Sequence, residues 1–278
     1  MSRLLGTFLV FFVGIVGLRC NLANSQDQSD QPFVVSEAVE GKLLTLTREY
    51  RPKSVISSVG RSAETTINAS PARSNVAEAF STQVLQRNGL WATEFESKTS
   101  GTNTSGRSFS LSLCGLITVV TTGVASTVQD AVTVLAKGKL FLPFGFRTTT
   151  GFTRMVRVTS LDTSTPSVCS PLPGTEFSYR LKTEVTTKTS GFAGRTQTST
   201  QDEYVFCKVS ADERPANQLV AQLRGTFVDV TCEHKIGANP PVQRDFIYLR
   251  DSGMYLMVAL KESWGHSKIT YKDVQYVN

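Results

Sequence analysis

Between residues 177 and 186 apolar and polar side chains change places at every step. Phe177, Tyr179, Leu181, Thr183 and Val185 alternate with Ser178, Arg180, Lys182, Glu184 and Thr186. Successive side chains of an extended strand point to opposite faces, so this run predicts a strand with one face buried and one in water. A chain that repeats such a run must stack or close its strands to hide the apolar faces. This chain does repeat it. Residues 191–195 (GFAGR) form a turn, and 197–209 returns as a second strand, making a long hairpin. Four more strand segments follow at 226–235, 244–250, 254–261 and 268–276, with Asp251-Ser252-Gly253 as a turn between two of them. A short helix is expected at 216–223, ended by Gly225. Residues 166–278 are therefore expected to form a six-stranded antiparallel meander, curved or barrel-like.

The N-terminal half has mixed signals. Leu44, Leu46 and Tyr50 predict a strand at 41–50, and the Ser/Arg/Ala-rich stretch 52–75 reads as a loop. Asn75, with Glu78 three residues on and Asn88-Gly89 beyond, carries helix start and stop signals. Val76, Phe80 and Val84 would be that helix's buried stripe. Trp91, Thr93 and Phe95 alternate in one strand, and Phe109, Leu111 and Leu113 in another, with the 100–106 turn making them a hairpin. Ser126 and Gln129 open a second capping pattern, for a helix at about 127–137 ending near Gly138. Strands at 139–147 and 152–160 follow, joined by a 148–151 turn; Pro143 marks the first as an edge or bulged strand. Three prolines in 161–174 make that segment the linker. The expected organisation is a leader at 1–25, a mixed α+β module at 26–165 and the meander at 166–278. The fold class is α+β, mainly β, with two or three short helices.

Composition agrees with this reading. Thr and Ser number 33 and 29 of 278 residues, while charged residues are only 19%. An apolar content of 40% with a net charge of +6 excludes a disordered chain. Hydroxyls concentrate on strand faces such as 108–112 and in turns such as 148–151, where charges would normally meet solvent.

Export is expected from the first 25 residues. Arg3 precedes a 15-residue uncharged run at 4–18, too short for a membrane helix of about 20 residues but suited to a signal-peptide core. Ala23 and Ser25 place the cut near Ser25. Arg19 directly before Cys20 departs from the small residue that lipoprotein signals carry there. Removing the leader leaves a charge of +4 and four cysteines, Cys114, Cys169, Cys207 and Cys232. An even count in a secreted or periplasmic chain points to two disulfides. Four cysteines allow three connectivities; Cys207 continues the Val205/Val209 face of one strand and Cys232 the Val228/Val230 face of another, which gives local support to a Cys207–Cys232 bridge. Cys114–Cys169 follows by elimination. Asn68 and Asn103 stand in glycosylation motifs that matter only in a eukaryotic source.

The sequence carries no phosphate loop, no GxSxG, no HExxH and no CxxC. Its two histidines are the candidate polar site. His234 reads as an exposed residue at a strand end beside a disulfide, and His266 as part of a polar turn, Trp264-Gly265-His266-Ser267. Glu94/Glu96, Asp202/Glu203 and Asp212/Glu213 read as solvated acidic pairs. The clusters Arg48/Arg51/Lys53 and Arg154/Arg157 are scattered rather than striped, which argues against a nucleic-acid partner. Tyr204 and Phe206 lie opposite the Val205/Cys207/Val209 face and suggest a second core or a groove. No catalytic residue, metal or cofactor is expected. The leading expectation is an exported, non-catalytic binding or envelope-associated protein, holding an apolar ligand, a cell-envelope component or a protein on a β-lined surface or concavity. The alternatives are an exported hydrolase using a histidine with serine and carboxylate, and a membrane-active secreted effector using the apolar segment 111–136.

Overall fold

Period-two alternation governs almost the whole described chain, including segments whose sequence favoured helix. The computed structural model describes residues 35–47, 50–68, 70–85, 89–99, 104–131, 146–163, 165–190 and 195–277. Helix α1 (Glu37–Thr47) precedes twelve strands. These are β1 (Ile56–Ile67), β2 (Ser70–Leu85), β3 (Leu90–Thr99), β4 (Thr104–Leu113), β5 (Ile117–Ala131), β6 (Phe146–Thr163), β7 (Glu176–Ser190), β8 (Thr196–Pro215), β9 (Thr226–Ile236), β10 (Val242–Leu249), β11 (Met254–Glu262) and β12 (Gly265–Tyr276). Each pairs antiparallel with its neighbours in sequence, and β12 pairs back onto β1, so the sheet is one closed barrel without edges.

The mainly β, antiparallel reading holds, and the six strands β7–β12 fall where alternation placed them. The expectation of two or three short helices does not hold: the described residues contain one α-helix and two 3-10 turns, Pro166–Cys169 and Ala216–Gln218. The capped helix expected after Asn75 is instead part of β2, paired to β1 and β3. Its stripe at i, i+4 and i+8 also satisfies a period of two, and Phe80 and Val84 are exposed on one strand face. The strand expected at 41–50 is instead α1, in which Val39, Leu43 and Leu46 are buried and Leu44 is exposed. Glu37 and Glu40 sit in its first turn, where negative charge complements the helix dipole. The expected loop at 52–75 supplies β1 and the start of β2. The helix start at 127–131 is the end of β5, the 148–151 turn lies within β6, and residues 132–145 are outside the described residues. Residues 161–174 join β6 to β7, which pair with each other, so the division expected at residue 165 falls inside one closed sheet.

One end of the barrel is stoppered. Connections β4–β5, β6–β7, β8–β9 and β10–β11 all lie there, as an antiparallel meander requires. The Tyr255 amide donates to the Cys114 carbonyl at 2.8 Å, drawing the 114–116 turn across to β11. Tyr248 and Tyr255 donate their hydroxyls to the carbonyls of Cys169 and Val168, at 2.5 and 2.7 Å. The Cys114–Cys169 disulfide ties the same two segments together. Trp91 Nε1 donates to the Tyr50 hydroxyl (2.7 Å), which donates to the Gly253 carbonyl (2.8 Å). Helix α1 packs against β6 and the Pro166–Cys169 turn. The second disulfide, Cys207–Cys232, joins directly opposite residues of β8 and β9 and is fully buried with Val205, Val209 and Val230. Ala216 and Leu223, from the β8–β9 connection, cluster with Phe227, Ile247, Leu249 and Leu256. That cover explains why β10 is buried on both faces, through Phe246 and Tyr248 as well as Ile247 and Leu249.

Candidate ligand-binding site

Above this stopper the lumen stays open. Its cavity is about 560 Å³ and is walled by residues of β3 through β10. Alternation decides who lines it. On β7 it is Tyr179, Leu181, Thr183 and Val185, while Lys182 and Glu184 between them are exposed. On β9 it is His234 and Ile236, while Lys235 is exposed. Phe95, Phe152 and Val156 add apolar wall, and Ser97, Ser108, Ser110 and Thr121 add hydroxyls. The serine-rich alternation of 108–112 thus lines the inside as well as sparing charge outside. The outer wall carries Glu96, Lys182, Glu184 and Lys235 on alternate positions of three strands. Residues 117–131 of the apolar 111–136 run form a strand paired on both sides, to β4 and β6.

The polar centre of the cavity is His234. It is not the exposed strand-end residue expected from sequence: it is only 2% exposed. Its Nδ1 lies 2.6 Å from Glu203 Oε1. Glu203 pairs with Ile236 and Val205 with His234, so the two side chains meet diagonally across β8 and β9. Val242 pairs with His234, which puts Arg244 on the next diagonal step, on β10. Glu203, His234 and Arg244 therefore follow one oblique line across three strands, all facing the lumen.

Burial pushes the His234 imidazole below its usual value near 6.5, against the hydrogen bond to Glu203, and the Arg244 charge pushes the same way as burial. Burial alone would raise Glu203, but the His234 hydrogen bond, the His234 charge and Arg244 hold its carboxyl below the ordinary range. The pair is therefore neutral imidazole with carboxylate. Nδ1 carries the proton and donates it to Glu203, which leaves Nε2 as the acceptor. Nε2 is buried and has no hydrogen-bond partner. Tyr179 is pushed up, first by burial and then by the Glu203 charge, and stays a neutral phenol.

His266 is elsewhere. It is exposed on β12, opposite Thr66 of β1 and Lys261 of β11, and does not line the cavity. The structure does not bring the two histidines together. Among the described residues no three His, Cys, Asp or Glu side chains stand close enough to hold a metal ion. Among the described residues no hydroxyl or thiol bonds His234 Nε2. Glu203 reads in the sequence as one of a solvated pair, and that reading is corrected here. Asp202 is exposed on the outer side, whereas Glu203 shares the parity of Val205 and Cys207 and enters the lumen. The same parity places Arg244 with Phe246 and Tyr248. That parity was the signal available in the sequence. Comparison with protein-family models, curated proteins and solved structures finds no match for this chain.

Proposed function

We propose that the chain is an exported, non-catalytic binding protein that takes a mostly apolar ligand into the barrel lumen, after removal of residues 1–25. The observation that carries this reading is the cavity itself, about 560 Å³ with Phe95, Phe152, Val156, Leu181, Val185 and Ile236 in its wall. Small-molecule sites are typically preformed concavities of about 300–1,000 Å³, largely apolar with a few fixed polar groups. Two disulfides suit an oxidising compartment and so support export. The stoppered end and the disulfides hold the lumen open without a ligand, which limits the ordering cost of binding.

The test is titration of the purified chain with a neutral apolar fluorophore, N-phenyl-1-naphthylamine. Saturable binding is expected. Leu181→Trp and Val185→Trp, which fill the cavity from β7, should each weaken it at least about tenfold while far-UV circular dichroism stays unchanged. Absence of saturable binding to the wild-type chain, or equal binding by both filled variants, would overturn the reading.

An exported hydrolase is the second reading, and the His234–Glu203 pair favours it. It requires a substrate or a serine hydroxyl to reach Nε2. Ester hydrolysis lost in His234→Gln and retained in His266→Gln would support it. No hydrolysis of p-nitrophenyl esters of short and medium chain length would remove it.

A further inference from the structure

The groups around His234 differ in the pH at which they change charge. Glu203 meets the imidazole from β8, Arg244 stands one diagonal step away on β10, and Tyr179 flanks Glu203 on β7. Farther round the wall, Arg154 faces in from β6. Arg61 faces in from β1, level with Ala79 and Ser97 and stacked over Phe95 at 4.2 Å. Glu262 shares the inward parity of Leu260 at the far end of β11. Carboxyl groups ordinarily titrate near about 4, imidazole near about 6.5, phenols near about 10 and guanidinium above about 12. Between pH 7.5 and 5.5 the imidazole is thus the kind of group on this wall that gains a proton. The geometry disfavours that proton. Nδ1 already donates to Glu203, so uptake falls on Nε2, which is buried and has no acceptor. Protonated, Nε2 would be a charged donor without a partner in a low dielectric. Burial is the main cause that holds His234 low, and the Arg244 charge on the adjacent strand adds to it. The imidazolium therefore needs water drawn against it from the lumen, and an apolar ligand in the same lumen excludes that water.

We propose that the lumen releases its apolar ligand on acidification, through proton uptake at His234 Nε2. This names a regulation of the lumen reading above and rests on it. At pH 7.5 the imidazole is neutral and the wall accepts an apolar occupant. As pH falls, the proton and its water compete with that occupant for the same space. Linkage makes the effect reciprocal: the factor by which the ligand weakens proton binding at His234 is the factor by which the proton weakens ligand binding. One exchanged proton limits the change to at most about tenfold per pH unit. Glu203 does not cancel it. Burial alone would raise its carboxyl, but the hydrogen bond from His234 and the Arg244 charge hold it low, so it stays ionised over this range. The chain thus loads at neutral pH and unloads where protons accumulate.

The experiment is titration of the full chain with N-phenyl-1-naphthylamine, a diarylamine that stays neutral here, at steps from pH 7.5 to 5, with far-UV circular dichroism confirming the fold at each step. Affinity should fall about fivefold or more across this range in the wild-type chain and in His266→Gln. It should stay level in His234→Gln, which cannot take up the proton. A second arm needs no variant. The chain has only two histidines, so both imidazole Cε1–H signals can be followed by NMR against pH, with exposed His266 as the internal reference. Bound fluorophore should move the His234 titration to lower pH and leave that of His266 in place. Equal wild-type affinity at pH 7.5 and 5 overturns the release proposal and leaves lumen binding standing. An equal fall in His234→Gln also overturns it, as does a His234 titration that the fluorophore does not move. Failure of the fluorophore to bind at pH 7.5 removes the lumen reading, and this proposal with it.

Discussion

Removing the Cys207–Cys232 bridge by Cys207→Ala/Cys232→Ala tests the covalent frame. The two residues are 25 apart in sequence and directly opposite each other in β8 and β9. A loop of that length carries about 3.5 kcal/mol in the chain-entropy treatment, by constraining the unfolded chain. Both half-cystines are fully buried against Val205, Val209 and Val230, so losing the sulfurs also leaves a void. A void of about a methyl group adds roughly 1 kcal/mol. The total is about 4.5 kcal/mol, which in a domain of this size lowers Tm by roughly 9–18 °C. Differential scanning calorimetry of both proteins, oxidised and at equal concentration, measures it. The Cys114–Cys169 bridge closes a loop of 55 residues, and its loss in Cys114→Ala/Cys169→Ala should cost more, about 4 kcal/mol from the loop alone. The mismatched variant Cys169→Ala/Cys207→Ala breaks both bridges at once and should cost roughly the sum, enough to unfold a domain of ordinary stability. A Cys207→Ala/Cys232→Ala protein within 1 kcal/mol of wild type would refute the reasoning. So would a mismatched variant no worse than either matched one.

Acidification should destabilise the chain through the His234–Glu203 pair. Folded His234 lies below its unfolded value, so the unfolded chain takes up a proton first, and stability falls as pH drops below about 6.5. Folded Glu203 is also lowered; its contribution is present above its unfolded value near 4.5 and is lost as pH falls through the folded one. Each proton gives a slope of at most about 1.4 kcal/mol per pH unit. His234→Gln should flatten the part of the urea-denaturation profile between pH 6.5 and 5; an unchanged slope there would contradict the buried neutral imidazole. Gly115→Ala should cost about 2–3 kcal/mol, because φ is +77° and a Cβ would stand 2.6 Å from the Tyr255 carbonyl oxygen. Gly41→Ala, at an exposed position of α1 with nothing within 4 Å of its Cβ position, should instead stabilise by about 0.5–1 kcal/mol. Equal effects at the two glycines, read from urea midpoints, would count against both assignments.

Strands were legible where alternation was unopposed. In β7–β9 a period of two is the only pattern present, and it located the strands and supported the Cys207–Cys232 pair, but not the inward places of Glu203 and His234. Residues 75–85 were not legible for a definable reason. A stripe at every fourth residue satisfies both a helix and a strand, and local capping residues then favoured helix. Pairing to β1 and β3 on both sides supplied the backbone partners that settled it as β2. Around 37–47 the opposite occurred: Leu44 and Leu46 suggested alternation, but Val39, Leu43 and Leu46 form the buried set.

By itself the sequence determined an antiparallel, mainly β chain with Cys207 and Cys232 on strand faces, rich in hydroxyls and poor in charges. These follow from local periodicity and composition, which need no partner segment to be read. Closure was decided only by the tertiary structure, because the β1–β12 pairing joins residues about 200 apart, and nothing local encodes which distant strand completes a sheet. The same holds for the site. Whether Glu203 and His234 stand in water or in a lumen depends on the parity of their strands relative to a closed wall. One residue of register on β8 would turn Glu203 outward and Asp202 inward, and the buried pair would not exist.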